Sequence, residues 1–137
     1  MPLVEIRVYY EDTDGGGVVY YANYLRYLER ARTEYLRERG VNLAALIEGG
    51  YTFVVKAVQV DYIVPARYDD LLTVETDLVP GRARLEFTHT IERNGTLIAR
   101  ASCDLACVGV SGKPVGIPEE VKRLLKSETA RGMSIMS

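Results

Sequence analysis

Apolar and polar residues alternate from Val4 to Tyr10, with Val4, Ile6 and Val8 set against Glu5 and Arg7. That period of two marks a half-buried β-strand. From about Asn23 to Arg39 the spacing becomes helical. Tyr24, Leu28, Ala31 and Tyr35 form one stripe with Leu25 and Leu36 beside it, while Arg26, Glu29, Arg30, Glu34 and Glu38 fall largely elsewhere. This is the signature of an amphipathic helix, ~17 residues and ~25 Å long. Asn23 suits its N-cap and Gly40 its C-terminal stop. Leu43 to Glu48 adds one or two helical turns before Gly49-Gly50. The remainder reads as β. Tyr51 to Ile63 is a long strand closed by Pro65, and Leu71 to Val79 ends at Pro80-Gly81, a pair that suits the central positions of a type II turn. Ala83 to Arg93 and Leu97 to Val110 flank Asn94-Gly95, the strongest short hairpin signal. Pro118 to Lys126 suits a short helix with proline in its first turn, and Ser127 to Ser137 is expected to be a frayed tail.

The order is strand, long helix, then four strands joined by hairpins, which makes the fold α+β rather than α/β. One long helix buried against a five-stranded antiparallel sheet is expected, in a single domain spanning residues 1–137. A sheet has two faces and this chain supplies one major helix. The second face, or an edge, is therefore expected to meet another copy of the chain.

Composition narrows the function. The chain has 137 residues, 47 % hydrophobic and 26 % charged, so a packed globule is expected rather than disorder. Its net charge is −2 with basic and acidic residues interleaved, which leaves no basic field for nucleic acid. No run of 18 apolar residues would span a membrane, and no basic segment with an apolar core precedes the first strand, so a cytoplasmic location is the default. Cys103 and Cys107 lie on one predicted strand with Cα atoms ~13 Å apart. That is outside disulfide reach and is poor metal spacing, so both read as reduced core residues.

The segment Glu11-Asp12-Thr13-Asp14-Gly15-Gly16-Gly17-Val18-Val19 carries the chemistry. Carboxylates stand beside glycines that let a ligand approach the backbone, and the run leads into a helix start with unpaired amides and partial positive charge. Such a place suits an oxyanion next to an acid. Other sites fail on spacing. The twelfth position of an EF-hand begun at Asp12 would be Asn23, where a bidentate Glu is needed. No Gly-Lys-Ser/Thr follows the glycines, no GxSxG elbow exists, and no Cys–His nucleophile setting is evident. The single histidine, His89, shares strand parity with Ala83, Leu85, Phe87 and Ile91, and reads as a satisfied core or interface residue. A histidine triad or histidine metal site is thereby disfavoured.

The run YYEDTDGGGVVYYANYLRYLERARTEYLRERG and the later VDYIVPARYDDLLTVET resemble the hotdog-fold acyl-CoA thioesterases. The similarity is to the branch that joins 4-hydroxybenzoyl-CoA thioesterases to the tol–pal-associated enzymes, and it covers nearly the whole chain. It implies a hotdog fold, a five-stranded antiparallel sheet wrapped around one long central helix, in dimers joined edge to edge and often in homotetramers with active sites at the dimer interface. It also implies hydrolysis of acyl-CoA thioesters without metal or other cofactor. By that resemblance Asp14 is the catalytic carboxylate, acting as nucleophile through a mixed anhydride or as general base on water. The Tyr21 backbone N–H holds the thioester oxygen, and Gly16, Gly17 and Val18 form the adjoining turn. Where the tol–pal branch usually has histidine, this chain has Tyr21, whose side chain with an ordinary pKa of ~10 is a weak base at neutral pH. Lys56, Arg67, Arg82 and Arg84 are the candidate phosphate ligands for the CoA end, Tyr24 or Tyr27 the acyl-pocket lining, and Tyr62, Asp69 and Asp70 structural matches. Acyl-CoA is the implied substrate, with acyl carrier protein an alternative donor. Two other readings stay open: a non-catalytic acyl-CoA or acyl-carrier binding module, and a hotdog dehydratase, which would want a histidine paired with a carboxylate.

Overall fold

A computed structural model describes residues 3–126; the tail expected to fray lies outside the described residues. Strand β1 (Leu3–Arg7) is followed by the glycine loop, helix α1 (Tyr24–Glu38), a short α2 (Leu43–Glu48), and strands β2 (Thr52–Tyr62), β3 (Leu71–Pro80), β4 (Arg84–Arg93) and β5 (Thr96–Val108). A last helix, α3, covers residues 119–126. The strands form one antiparallel sheet in the order β1-β3-β4-β5-β2. The α+β hotdog architecture expected from the sequence is the one observed.

Alternation along β3 and β4 turns Leu72, Val74, Thr76 and Leu78, with Leu85, Phe87, His89 and Ile91, toward α1. The helix answers with Tyr24, Tyr27, Leu28, Ala31 and Tyr35, all buried, and Tyr35 packs edge-on to Phe87 with ring centroids 5.8 Å apart. The opposite face carries Glu86 and Thr88 beside Asp104 and Ser102, with Val79 exposed among them. The sheet has two edges: the short β1, which pairs with β3 alone, and the long β2, which pairs with β5 alone among the described strands.

Some local expectations give way. Asn23 does not cap α1 with its side chain, because a 3-10 turn at Tyr21–Asn23 already puts its backbone in helical geometry (φ −71°, ψ −19°). Leu25 is exposed, and Arg32 is buried instead. The type II turn at Pro80-Gly81 is absent, since Gly81 is not among the residues with positive φ. The ladder runs one pair further, to Pro80 opposite Leu85, and the chain reverses through Arg82 and Ala83 with Gly81 N–H donating to the Arg84 carbonyl at 2.8 Å. Asn94 and Gly95 take positive φ values of 49° and 81°, as a type I′ hairpin requires. Gly40 (φ 84°) ends α1 with Val41 N–H bonded to the Leu36 carbonyl and Gly40 N–H to the Arg37 carbonyl, a Schellman pair.

Candidate active site

The glycine loop is a small hairpin. Thr13 bridges Val19, and Asp14 N–H donates to the Val18 carbonyl at 3.0 Å. Gly15 and Gly17 sit at φ 90° and 89°, angles that cost an ordinary L-residue about 1–2 kcal/mol. Gly16 N–H donates to Asp14 Oδ1 at 2.7 Å, and a Cβ at Gly16 would approach that oxygen to 3.1 Å. The loop thus fixes one carboxylate oxygen of an exposed Asp14 and leaves the other without such a bond among the described residues.

A second segment clamps the loop from outside. Val19 N–H donates to the Ala66 carbonyl at 2.8 Å, Tyr68 N–H to the Gly17 carbonyl at 3.1 Å, and Val18 bridges Arg67. That segment is held in turn by Asp70, whose Oδ2 accepts Arg67 N–H at 2.8 Å and the Arg93 guanidinium at 2.6 Å. Tyr24 Oη accepts Ala66 N–H at 3.0 Å, which joins the start of α1 to the same clamp.

Tyr21 opens the 3-10 turn ahead of α1, where an N–H has no intrahelical acceptor. The carbonyl of the Tyr20–Tyr21 peptide accepts Asn23 N–H at 2.8 Å, and Tyr62 Oη donates to the Tyr21 carbonyl at 2.9 Å. The Asn23 bond fixes the peptide that carries the Tyr21 N–H, and the Tyr62 bond fixes the peptide that follows it. Beside it lies an open groove of about 550 Å³ bordered by Asp14, Thr13, Tyr20, Asn23 and Arg26. Asp12 serves as scaffold: its Oδ2 accepts Tyr9 N–H at 2.9 Å. The buried Tyr27 hydroxyl lies against Asp12 and Asn23 without a bond of standard geometry to either, and burial first, then Asp12, raises its pKa.

Asp14, Gly17, Val18, Tyr21 and Arg67 are thus gathered at one end of α1. Tyr24 and Tyr27 are buried in the core at 3 % and 0 % exposure, and burial, partly offset by the Ala66 N–H, raises the Tyr24 hydroxyl pKa. Lys56 stands apart, exposed at an irregularity in the β2–β5 ladder. Arg82 is at the β3–β4 tip, in a groove of about 310 Å³ shared with Lys122 and Lys126. Those two lysines and Arg26 are site candidates that the sequence motifs do not mark. Lys122 and Lys126 recur one helical turn apart, which would have placed them on one face of α3. Among the described residues no cluster of three or more His, Cys, Asp or Glu could hold a metal ion, and no helix is long and apolar enough to cross a membrane.

Comparison with known proteins shows the same fold and places the chain in a family. The acyl-CoA thioesterase YbgC of Haemophilus influenzae is 49 % identical over 121 residues, which cover 85 % of this chain and 88 % of the relative. The DHNA-CoA thioesterase structure from Staphylococcus aureus superposes with a TM-score of 0.86 at 25 % identity, covering 95 % of this chain and 93 % of that one. A Thermus thermophilus structure reaches a TM-score of 0.88 at 30 % identity, over 93 % of this chain and 98 % of that one. The model of the thioesterase-like superfamily matches residues 8–125, and the chain belongs to that superfamily.

Proposed function

We propose that this protein hydrolyses acyl-CoA thioesters to a free acid and CoA, with Asp14 as the reacting carboxylate and the Tyr21 N–H polarising the thioester carbonyl. The observation that carries the reading is the pairing of a half-tethered, exposed Asp14 with a helix-start amide whose own peptide is held by Asn23 and whose following peptide is held by Tyr62. An oxygen bound there gains from a preorganised donor and from the positive end of α1.

The free Asp14 oxygen attacks the carbonyl carbon, and the carbon–sulfur electron pair leaves with CoA, whose sulfur takes a proton from water. The acyl-aspartyl anhydride is then split by water, which restores the carboxylate. In the alternative sequence Asp14 takes a proton from water as that water attacks the same carbon. Both routes consume one water and release one acid and one thiol, and neither calls on a metal or redox group. Gly17 and Val18 keep the loop at the angle that aims Asp14. Arg67, which bridges Val18 of the Asp14 loop, is the CoA-phosphate cation nearest the reacting carboxylate, with Lys56 and with Arg82, at the opposite end of β3, as further cations. The acyl carrier donor, the cytoplasmic location, the single-domain organisation of residues 1–137 and the homo-oligomer, dimer or tetramer, belong to the same proposal.

Release of free thiol from a panel of acyl-CoAs is the test. Asp14→Asn is expected to lower kcat by about 10²–10⁴-fold while leaving thermal stability near wild type, because the side chain is exposed. Near-normal turnover in that variant would remove Asp14 from the chemistry. Acyl-CoA binding with no thiol release from wild type would favour a binding module instead.

A further inference from the structure

Arg32 carries a charge that the hydrolysis step does not use. It is 8 % exposed, and no carboxylate forms an ion pair with it among the described residues. Its Nη1 donates to Cys103 Sγ at 3.3 Å, and its charge is felt by the nearby His89. Both neighbours are neutral, and sulfur is a weak acceptor. A buried guanidinium is costly unless an anion answers it.

That guanidinium borders a mostly apolar groove of about 260 Å³ between α1, α2 and β2, walled by Leu36, Leu46, Phe53, Val55 and Leu105. The groove is separate from the Asp14 groove, with no lining residue in common, but both are bordered from the same side of the helix. Ala22 and Arg26 border the Asp14 groove, and Glu29, Thr33 and Leu36 border the apolar one. Positions 22, 26, 29, 33 and 36 recur at helical spacing on one side of α1, and Arg26 to Thr33 spans ~10 Å of helix. An acyl chain fixed at Asp14 and laid along this side of α1 would meet the apolar walls and the Arg32 guanidinium that borders them.

We propose that this groove holds the acyl chain and that Arg32 is its specificity-determining residue, selecting acyl groups that end in a carboxylate over plain alkyl chains. The proposal rests on the thioesterase reading and names its substrate class. One N–H of Arg32 is spent on Cys103, and the others offer the planar fork that binds a carboxylate through two parallel hydrogen bonds.

The test compares kcat/KM for decanedioyl-CoA, thioesterified at one end, with that for decanoyl-CoA, in wild type, Arg32→Gln and Arg32→Lys. Wild type is expected to favour the diacid ester by about tenfold or more, the scale of a charge-assisted hydrogen bond. Arg32→Gln should bring the ratio close to one, with Arg32→Lys between. A wild-type ratio at or below one overturns the proposal, as does an unchanged ratio in folded Arg32→Gln. Should the glutamine variant not fold, the wild-type and lysine ratios decide: a lysine ratio equal to wild type removes the need for the guanidinium fork, and a reduced one supports it. Hydrolysis of the wider acyl-CoA panel without a diacid preference sinks this inference alone. Hydrolysis of none of them sinks the thioesterase reading with it.

Discussion

His89 sits in the core at 3 % exposure, its ring stacked on Phe87 and its Nδ1 3.0 Å from Thr76 Oγ1, while Nε2 has no hydrogen-bond partner among the described residues. Burial first, then the Arg32 charge, lowers its pKa from the ordinary 6.5 to about 4. The folded protein therefore resists a proton that the unfolded chain accepts. Stability on this account is full above pH 6.5 and falls as pH drops toward 4, by up to about 3 kcal/mol in all. Urea midpoints measured at intervals across that range should decline in wild type and much less in His89→Leu. Equal slopes in the two proteins would assign the acid sensitivity elsewhere. Strand parity in the sequence placed His89 inward with Leu85 and Phe87, but half of the expected satisfaction is missing. The partner it does have, Thr76, comes from another strand, and parity carries no information across strands. Gly17 makes a second point at this scale. Nothing lies within 4 Å of a Cβ placed there, so Gly17→Ala strains only the backbone, by about 1–2 kcal/mol. Its expected signature is a fall in kcat with little change in melting temperature beyond that strain, because the loop that aims Asp14 must open.

At the scale of elements, α1 is anchored by a single hydroxyl at its start. Tyr24 is buried, its Oη accepts Ala66 N–H, and its ring meets Tyr62 edge-on with centroids 5.1 Å apart. Ala66 also receives Val19 N–H on its carbonyl, so one residue ties the helix, the glycine loop and the segment before β3. Tyr24→Phe keeps the packing and orphans a buried N–H, which costs about 1–3 kcal/mol. Thermal melts should show that loss, and thiol release should fall with it because the Val18–Arg67 bridge loosens. A variant as stable as wild type would mean that water replaces the hydroxyl. The period of α1 made the buried stripe legible, and the Asn94-Gly95 turn fixed one hairpin. What periodicity cannot carry is a bond between positions 42 apart. It is equally blind to the side-chain-to-backbone bonds of Asp12 and Asp14, which turn an extended segment into a 3-10 turn and a loop.

At the scale of the whole molecule, the question is what covers β2. The strand is 11 residues long, pairs on one side only among the described residues, and leaves Val54, Val55 and Val58 at 38 %, 50 % and 41 % exposure. Free edges are usually blunted by charge or by bulges; β2 has Lys56 and Asp61 and one irregularity beside Lys56. From the sequence, either a face or an edge needed covering. Glu86, Thr88, Ser102 and Asp104 favour water on the outer face, while three exposed valines favour burial on β2, so the edge is the surface to test first. Antiparallel pairing of β2 with its own copy about a two-fold axis would continue the sheet and set the Tyr62 end of one strand near the Thr52 end of the other. Tyr62 braces Tyr21, so the candidate active site lies at the end of that seam. Val54→Glu combined with Val58→Glu, neither of which walls the acyl groove, puts like charges along the seam in both copies, and should shift the species seen by light scattering from dimer or larger to monomer. Hydrolysis should fall in parallel, by tenfold or more, while circular dichroism keeps the wild-type spectrum. A monomer with full activity would show that one chain completes the site by itself, and would leave the edge as a surface for some other use.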